Sequence, residues 1–210
     1  MFMHRTVLAL ALLLGLGAPL PAAAAPDDGL PAEAAKFVTN VVDQALAVLK
    51  NNALSREERI KQLTDLYIED FDARGMSLFA LGIYAGRTRG QQREAYVDAF
   101  KHYVIRQYFS RLEMVGDQFA VSKSSPDGED IAWVVSGLGS RGDKPYRVEW
   151  RVRKTDAGLK IFDIILEGSS LLWIQRAAFA NFLQQHNGSI DQLMQLMRVE
   201  RISQDTPSGG

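Results

Sequence analysis

The chain has 210 residues, of which 47% are hydrophobic and 23% charged, and its formal charge at pH 7 is −1. This composition is ordinary for a globular protein, and the near-neutral charge argues against nucleic-acid binding, which normally requires a strong basic excess. No cysteine is present, so disulfides, cysteine metal sites and thiol nucleophiles are excluded.

The first 24 residues have the three parts of a secretory signal peptide. His4 and Arg5 form a short basic start, residues 7–16 form an apolar run, and alanines at 22–25 provide small residues for cleavage, which we expect after Ala24. The apolar run is shorter than the about 20 residues that a membrane-spanning helix needs. Because the leader carries Arg5 and no acidic residue, cleavage changes the formal charge from −1 to −2.

The remainder is expected to be one domain over residues 25–202, followed by a polar, disordered tail over residues 203–210. Without a cysteine near the cleavage site, the mature chain cannot carry a lipoprotein anchor. The sequence therefore predicts a freely diffusing protein of the bacterial periplasm, without a stable membrane anchor.

The first half of the domain has helical spacing. Apolar residues recur at three- and four-residue steps over residues 31–49, and Ser55 with Glu58 predicts a capping box for a second helix. A short apolar segment over residues 76–84 is predicted to form one or two helical turns.

A second capping box, of Thr88 and Gln91, is predicted to open the longest helix, which ends near Leu112. The buried stripe of this helix is expected to consist of Tyr96, Val97, Phe100, Val104, Tyr108 and Leu112.

The spacing then changes from helical to alternating. Residues 119–123, 129–138, 146–154 and 159–167 predict four strands joined by hairpin turns, and hence an antiparallel sheet. In the third strand, Val148, Trp150 and their alternating neighbours Tyr146 and Val152 share one face, opposite a row of charged residues, Arg147, Glu149, Arg151 and Arg153. One face of the sheet is thus apolar and the other is exposed to solvent, so helices should cover the apolar face only.

Two further helices close the domain, one over residues 170–186 and one that Ser189 and Gln192 are predicted to cap. The elements together predict an α+β fold: an antiparallel sheet of four or more strands with helices packed on one face.

Few motifs carry chemistry. Residues 137–142 match the glycine-rich dinucleotide fingerprint, but a strand follows where that motif requires a helix, so a hairpin loop is predicted. His102 and His186 lie far apart and lack the spacing of a metal site. We therefore assign no catalytic residue, metal or cofactor.

Asp163 interrupts an apolar strand and leaves two hypotheses open. It either points outward together with Ile161 and Ile165, which we favour, or acts as a general base beside an apolar cavity that holds a sterol-like or hopanoid substrate. The arginines of the third strand could likewise meet lipid phosphates or an acidic partner, or form a solvated face.

Several segments, taken in order, resemble the MlaC, or toluene-tolerance auxiliary, family. They are Phe71-Asp72, Phe79 to Tyr84 with Met76 before it, Gln91 to Phe100, Phe162 to Leu171, and Gln175-Arg176 with Phe179. Family members commonly have an aromatic residue at the position of Gln175, and the glutamine here is more similar to the hopanoid-associated HpnM branch of the family.

The resemblance implies that the sheet is curved and that the helices around it enclose a deep apolar cavity. It further implies a periplasmic carrier that holds the acyl chains of a phospholipid, or alternatively a hopanoid-type lipid, in this cavity. It also implies transient partners: an outer-membrane lipoprotein complex and an inner-membrane ABC transporter with an MCE-domain protein. A filled-core adaptor without a cavity is the remaining alternative. The expected lipid-binding residues are Phe71, Phe79, Tyr84, Val97, Phe100, Val104, Tyr108, Trp133, Val148, Trp150, Phe162, Ile164, Leu166, Trp173 and Phe179.

Overall fold

The computed structural model of the chain describes residues 29–113, 115–140 and 144–199. The predicted signal peptide and the polar tail over residues 203–210 lie outside these residues. Along the described chain, no helix is both long and apolar enough to cross a membrane.

Helices occupy both ends of the described chain, with a sheet between them. Four α-helices precede the sheet and two follow it, and a short 3₁₀ helix, Gly82–Arg87, separates the third from the fourth. The α-helices are α1 (Gly29–Lys50), α2 (Arg56–Asp70), α3 (Ala73–Leu81), α4 (Gly90–Leu112), α5 (Leu171–Gln185) and α6 (Ile190–Val199).

Two of the three predicted helix starts are confirmed. The backbone N–H of Glu58 donates to the Ser55 hydroxyl at 3.2 Å, while the Ser55 N–H donates to the Glu58 carboxylate at 2.7 Å. Ser189 similarly accepts from the Gln192 N–H at 3.3 Å. The box at Thr88 is wrong, because this residue is buried and its hydroxyl donates to the carbonyl of Ala85 instead.

The stripe predicted on α4 is correct only in its first half. Beyond Phe100, Tyr103 and Phe109 are buried, whereas Val104 and Tyr108 are half-buried. Since α4 packs against α2, α3 and α6, it is enclosed on more sides than a single apolar stripe implies.

The five strands pair in chain order as an antiparallel sheet, as predicted. They are β1 (Val115–Pro126), β2 (Ile131–Ser140), β3 (Tyr146–Thr155), β4 (Gly158–Leu166) and β5 (Ser169–Ser170). The loop predicted over residues 137–142 is wrong in its first part, because Gly137 pairs with Ala120 and β2 continues to Ser140.

Two separate hydrophobic cores hold these elements together. In the first, α1 lies on the apolar face of the sheet and packs on Val134, Val148, Trp150 and Val152. In the second, α2 to α6 pack on one another. Phe71 contacts both cores, so the α2–α3 junction is where the two meet.

This junction lies along β4. The backbone of Phe71 bridges to Ile161, and the Asp72 N–H donates to the Ile161 carbonyl at 2.8 Å. From here α3 and α5 approach β4. The predicted α+β class is confirmed, and the structure adds this second group of helices at the edge of the sheet.

Candidate functional site

A pocket of about 310 Å³ lies where the two cores meet, between α3, the start of α5, and strands β3 and β4. Its apolar lining is Met76, Phe79, Phe162, Leu172 and Trp173, and its remaining lining is Asp72, Gly75, Arg151, Arg153 and Asp163. The pocket therefore has aromatic walls with charged groups on the sheet side.

Phe162 supports both arginines of the pocket. The guanidinium carbons of Arg153 and Arg151 lie 4.5 Å and 4.9 Å from the centre of its ring, within the distance at which a cation is attracted to an aromatic face. Arg151 donates to Asp127 at 2.7 Å, and Arg153 lies 3.8 Å from Asp72. Both cations are thus held in place at the pocket.

One donor in this arrangement has no acceptor. The Nε of Arg151 is buried and has no hydrogen-bond partner within the described part of the chain. A buried N–H without an acceptor costs free energy, so this group is suited to donate a hydrogen bond to a ligand oxygen. Arg147, in the same row of β3, does not share this property because it binds Glu149 at 2.8 Å.

The helical wall of the pocket is built from two aromatic rings and a third arginine. Phe79 and Trp173 meet edge to face, with ring centres 4.9 Å apart. Arg176 donates to the Phe79 carbonyl at 3.0 Å, and its guanidinium carbon lies 4.6 Å from the Phe79 ring and 5.3 Å from the Trp173 ring. Although Trp173 is held in this way, 59% of its surface is exposed.

A β-bulge brings Phe162 and Asp163 to the pocket together. Arg151 pairs with Asp163, but the next residue of β3, Val152, pairs with Ile161, which leaves Phe162 as the extra residue. A bulge changes the facing of every later residue relative to strict alternation. The prediction that Ile161 and Asp163 share one face of the sheet is therefore wrong. Ile161 lies in the core between α1 and the sheet, whereas Asp163 lies on the opposite face, beside Arg151.

The expected outward position of Asp163 is also wrong, since this carboxylate is buried beneath the start of α5. It accepts from the Ser170 hydroxyl at 2.8 to 2.9 Å, and that hydroxyl in turn accepts from the Trp173 N–H. Burial raises the pKa of Asp163, and the hydrogen bonds from Ser170 and the Leu172 backbone counteract part of this rise.

Neither a tyrosine nor a histidine is among these described partners of Asp163. A tyrosine or histidine beside Asp163 would have favoured the general-base hypothesis, so these contacts give it no support. The contacts of Asp163 instead fix the first turn of α5, which carries Leu172 and Trp173 into the pocket.

Replacing Asp163 with asparagine should change how stability depends on pH. The folded state holds this proton more tightly than the unfolded chain, so the contribution of Asp163 is full below the unfolded pKa of about 3.9 and is lost as pH rises through the raised folded pKa. The free energy of unfolding of the wild type should thus fall relative to Asp163→Asn as pH rises from about 4 through the raised folded pKa. Urea unfolding of both proteins at several pH values measures the difference, and parallel curves would refute the assignment.

The structure places the expected lipid-binding residues in several environments. Phe79, Phe162 and Trp173 line the pocket, and Phe71 lies at the junction of the cores. The others lie apart from the pocket lining. Those in the core formed by α2 to α6 are Tyr84, Val97, Phe100, Val104 and Phe179, and those in the core between α1 and the sheet are Val148, Trp150 and Ile164. Trp133 and Tyr108 are half-buried, each with an arginine over its ring, and Leu166 on β4 is 36% exposed.

The lining also includes residues that we did not single out as lipid-binding from the sequence. Arg151 and Arg153 could be recognised in the sequence, because they belong to the row of arginines on the solvent-exposed face of β3. Leu172 and Gly75 had no such signal, and a Cβ at Gly75 would displace the Asp72 carboxylate that caps α3.

An aromatic pocket with cations at its edge, between a sheet and helices, defines an α+β ligand-binding domain. The chain belongs to the MlaC protein family, whose model matches residues 39–199. Family membership and the lipid-bound relative described next indicate a binding protein rather than an enzyme.

The chain is similar in structure to a phospholipid-binding protein from Ralstonia solanacearum, which was solved in complex with a phospholipid. The two are 25% identical and superpose with a TM-score of 0.70, over 81% of this chain and 97% of the other. No curated protein sequence matches the chain significantly.

Proposed function

We propose that the protein is a periplasmic phospholipid carrier and that the lipid enters at the pocket between α3, α5 and β4. The observation that carries the proposal is the pocket itself, where aromatic walls adjoin two fixed arginines, one with an unpaired buried N–H. The phospholipid bound to the relative from Ralstonia solanacearum supports it.

The two sides of the pocket suit the two parts of a phospholipid. Phe79 and Phe162, with Met76, offer apolar surface to an acyl chain. The guanidinium groups of Arg151 and Arg153 offer donors whose geometry suits a phosphate. We infer that the phosphate approaches the Nε of Arg151 while the chains extend between the helices and the sheet.

The pocket must widen to hold two acyl chains, because its volume of about 310 Å³ is at the lower end for ligand pockets, which span about 300–1,000 Å³. Burial of two chains of some 15 carbons each supplies on the order of 20 kcal/mol gross, at about 0.8 kcal/mol per CH₂. Since the pocket lies between two separately packed cores, the helices can move away from β4 without dismantling either core.

A carrier of this kind would exchange lipid with membrane complexes. We propose an outer-membrane lipoprotein complex and an inner-membrane ABC transporter with an MCE-domain protein as its transient partners. Residues 1–24 would direct the chain to the periplasm, where diffusion between the two membranes requires that the acyl chains be shielded from water.

The test is mass spectrometry of lipid extracted from the protein after purification from the periplasm of its native host. We expect phospholipid at about one molecule per chain. A hopanoid or another polycyclic lipid in its place would retain the carrier and change the cargo. Lipid-free protein that also takes up nothing from phospholipid vesicles would refute the proposal.

A further inference from the structure

The two most exposed large apolar side chains of the described residues lie on the helical side of the pocket. Ile83 is 75% exposed and Trp173 is 59% exposed. Arg176 links them, because its guanidinium stacks on Trp173 and lies 3.5 Å from the point where a Cβ on Gly82, the residue before Ile83, would be. Scattered exposed apolar residues are ordinary, but Trp173 at the pocket and Ile83 next to Gly82 are grouped around one guanidinium, that of Arg176, and such a grouping indicates a contact surface.

Trp173 is held in its exposed position. Its ring packs edge to face on Phe79 and lies under Arg176, and its backbone N–H is bound by Ser170 at the start of α5. The ring is therefore ordered without being covered. Tryptophan with an apolar body and a polar N–H is the residue type that favours the boundary between lipid and water.

The charge around this surface favours an anionic partner. Arg176 lies against Trp173, Arg87 lies 5.2 Å from the Tyr84 ring on the same 3₁₀ segment as Ile83, and the pocket arginines lie behind them. The carboxylate of Asp163 is buried, and that of Asp72 faces Arg153 and caps α3. Because the chain without residues 1–24 has a formal charge of only −2, this local positive charge would orient the molecule.

We propose that Ile83, Trp173 and Arg176 form a membrane-docking patch that places the pocket opening against an anionic bilayer surface. Arginine beside an interfacial tryptophan suits lipid phosphates, and basic residues near an anionic leaflet are attracted to it. The inference rests on the proposed carrier function, since the patch serves the same pocket. The protein would then exchange lipid directly with a bilayer, in addition to exchanging it with partner proteins.

The test compares Ile83→Asp with a matched control, Ile68→Asp, because Ile68 is also exposed, at 41%, but lies on α2 away from the pocket lining. Flotation with vesicles of phosphatidylethanolamine and phosphatidylglycerol measures docking. We expect Ile83→Asp to weaken vesicle binding by about tenfold or more, from lost burial and added repulsion. Ile68→Asp should bind as the wild type does, and added salt should weaken binding of all three proteins.

Lipid loading from detergent micelles, which involves no bilayer, is measured on the same proteins. Ile83→Asp should load as the wild type does, because Ile83 does not line the pocket. The proposal is overturned if the wild type fails to float, if both variants lose binding equally, or if Ile83→Asp also fails to load from micelles. Binding only to native membranes, abolished by protease treatment, would assign the patch to a protein partner instead. A wild type that floats but takes up no phospholipid from micelles would refute the carrier function alone.

Discussion

Replacing Trp150 with alanine is expected to lower the free energy of unfolding by about 3 to 5 kcal/mol, as large-to-small changes of buried aromatic residues do. Trp150 is 6% exposed in the core between α1 and the sheet, where its ring lies 6.4 Å from that of Phe119. Its indole N–H also donates to the Ser136 hydroxyl at 2.9 Å. The variant leaves both a void and a buried hydroxyl without its donor.

Urea unfolding measures this loss, and two variants separate its parts. Trp150→Phe keeps most of the ring contact and removes the N–H, so it should cost about 1 kcal/mol. Trp133→Ala, on the neighbouring strand, removes a half-buried ring that lies beneath Arg151 and should cost less than half as much as Trp150→Ala. If Trp150→Ala retained full stability and lost only lipid uptake, the α1–sheet layer would be a lipid cavity and not a packed core.

Replacing Phe162 with alanine is expected to weaken phospholipid binding by about tenfold while the fold survives. The ring supports both Arg151 and Arg153 and forms the sheet side of the apolar lining. Loss of its contact with about two methylenes corresponds to about 1.6 kcal/mol, or about tenfold in affinity. Phe162→Glu should cause a larger loss, because a carboxylate there would also neutralise the arginines.

Leu166→Ala is the matched control for Phe162. Leu166 belongs to the same strand but pairs with Val148, is 36% exposed, and does not line the pocket. Displacement of a fluorescent phospholipid gives the affinities, and circular dichroism verifies the fold. Equal affinity of the Phe162 and Leu166 variants would show that lipid does not occupy this pocket.

Periodicity predicts a buried face well but does not identify what covers it. The spacing on α4 and the alternation along β3 marked Phe100 and Trp150 as buried, and both are. Their neighbours are other elements of the protein in each case: α5 contacts Phe100 through Phe179, and α1 covers Trp150. A filled core and a ligand cavity select the same residue types, so the resemblance, and not the spacing, suggested these residues as lipid-binding.

The pocket could be predicted only in part because its lining comes from separate segments and depends on a bulge. Strict alternation along β4 assigned Phe162 and Asp163 to opposite faces, whereas the bulge places both with Arg151. One extra residue shifts the alternation by one position, and the shift is hidden here because residues 161–166 are apolar at every position except Asp163. Thr88 illustrates a second limit, since a local hydrogen bond to Ala85 outcompetes the predicted cap.

Photo-crosslinking with a phospholipid that carries a diazirine close to the carboxyl end of one acyl chain tests the central claim most directly. After loading and irradiation, peptide mapping should locate the crosslinks in segments that contain Phe79, Phe162 or Trp173, the aromatic residues of the pocket. Crosslinks confined to the α4 segment around Phe100 or to the α1–sheet core around Trp150, or no crosslinks to loaded protein, would contradict it.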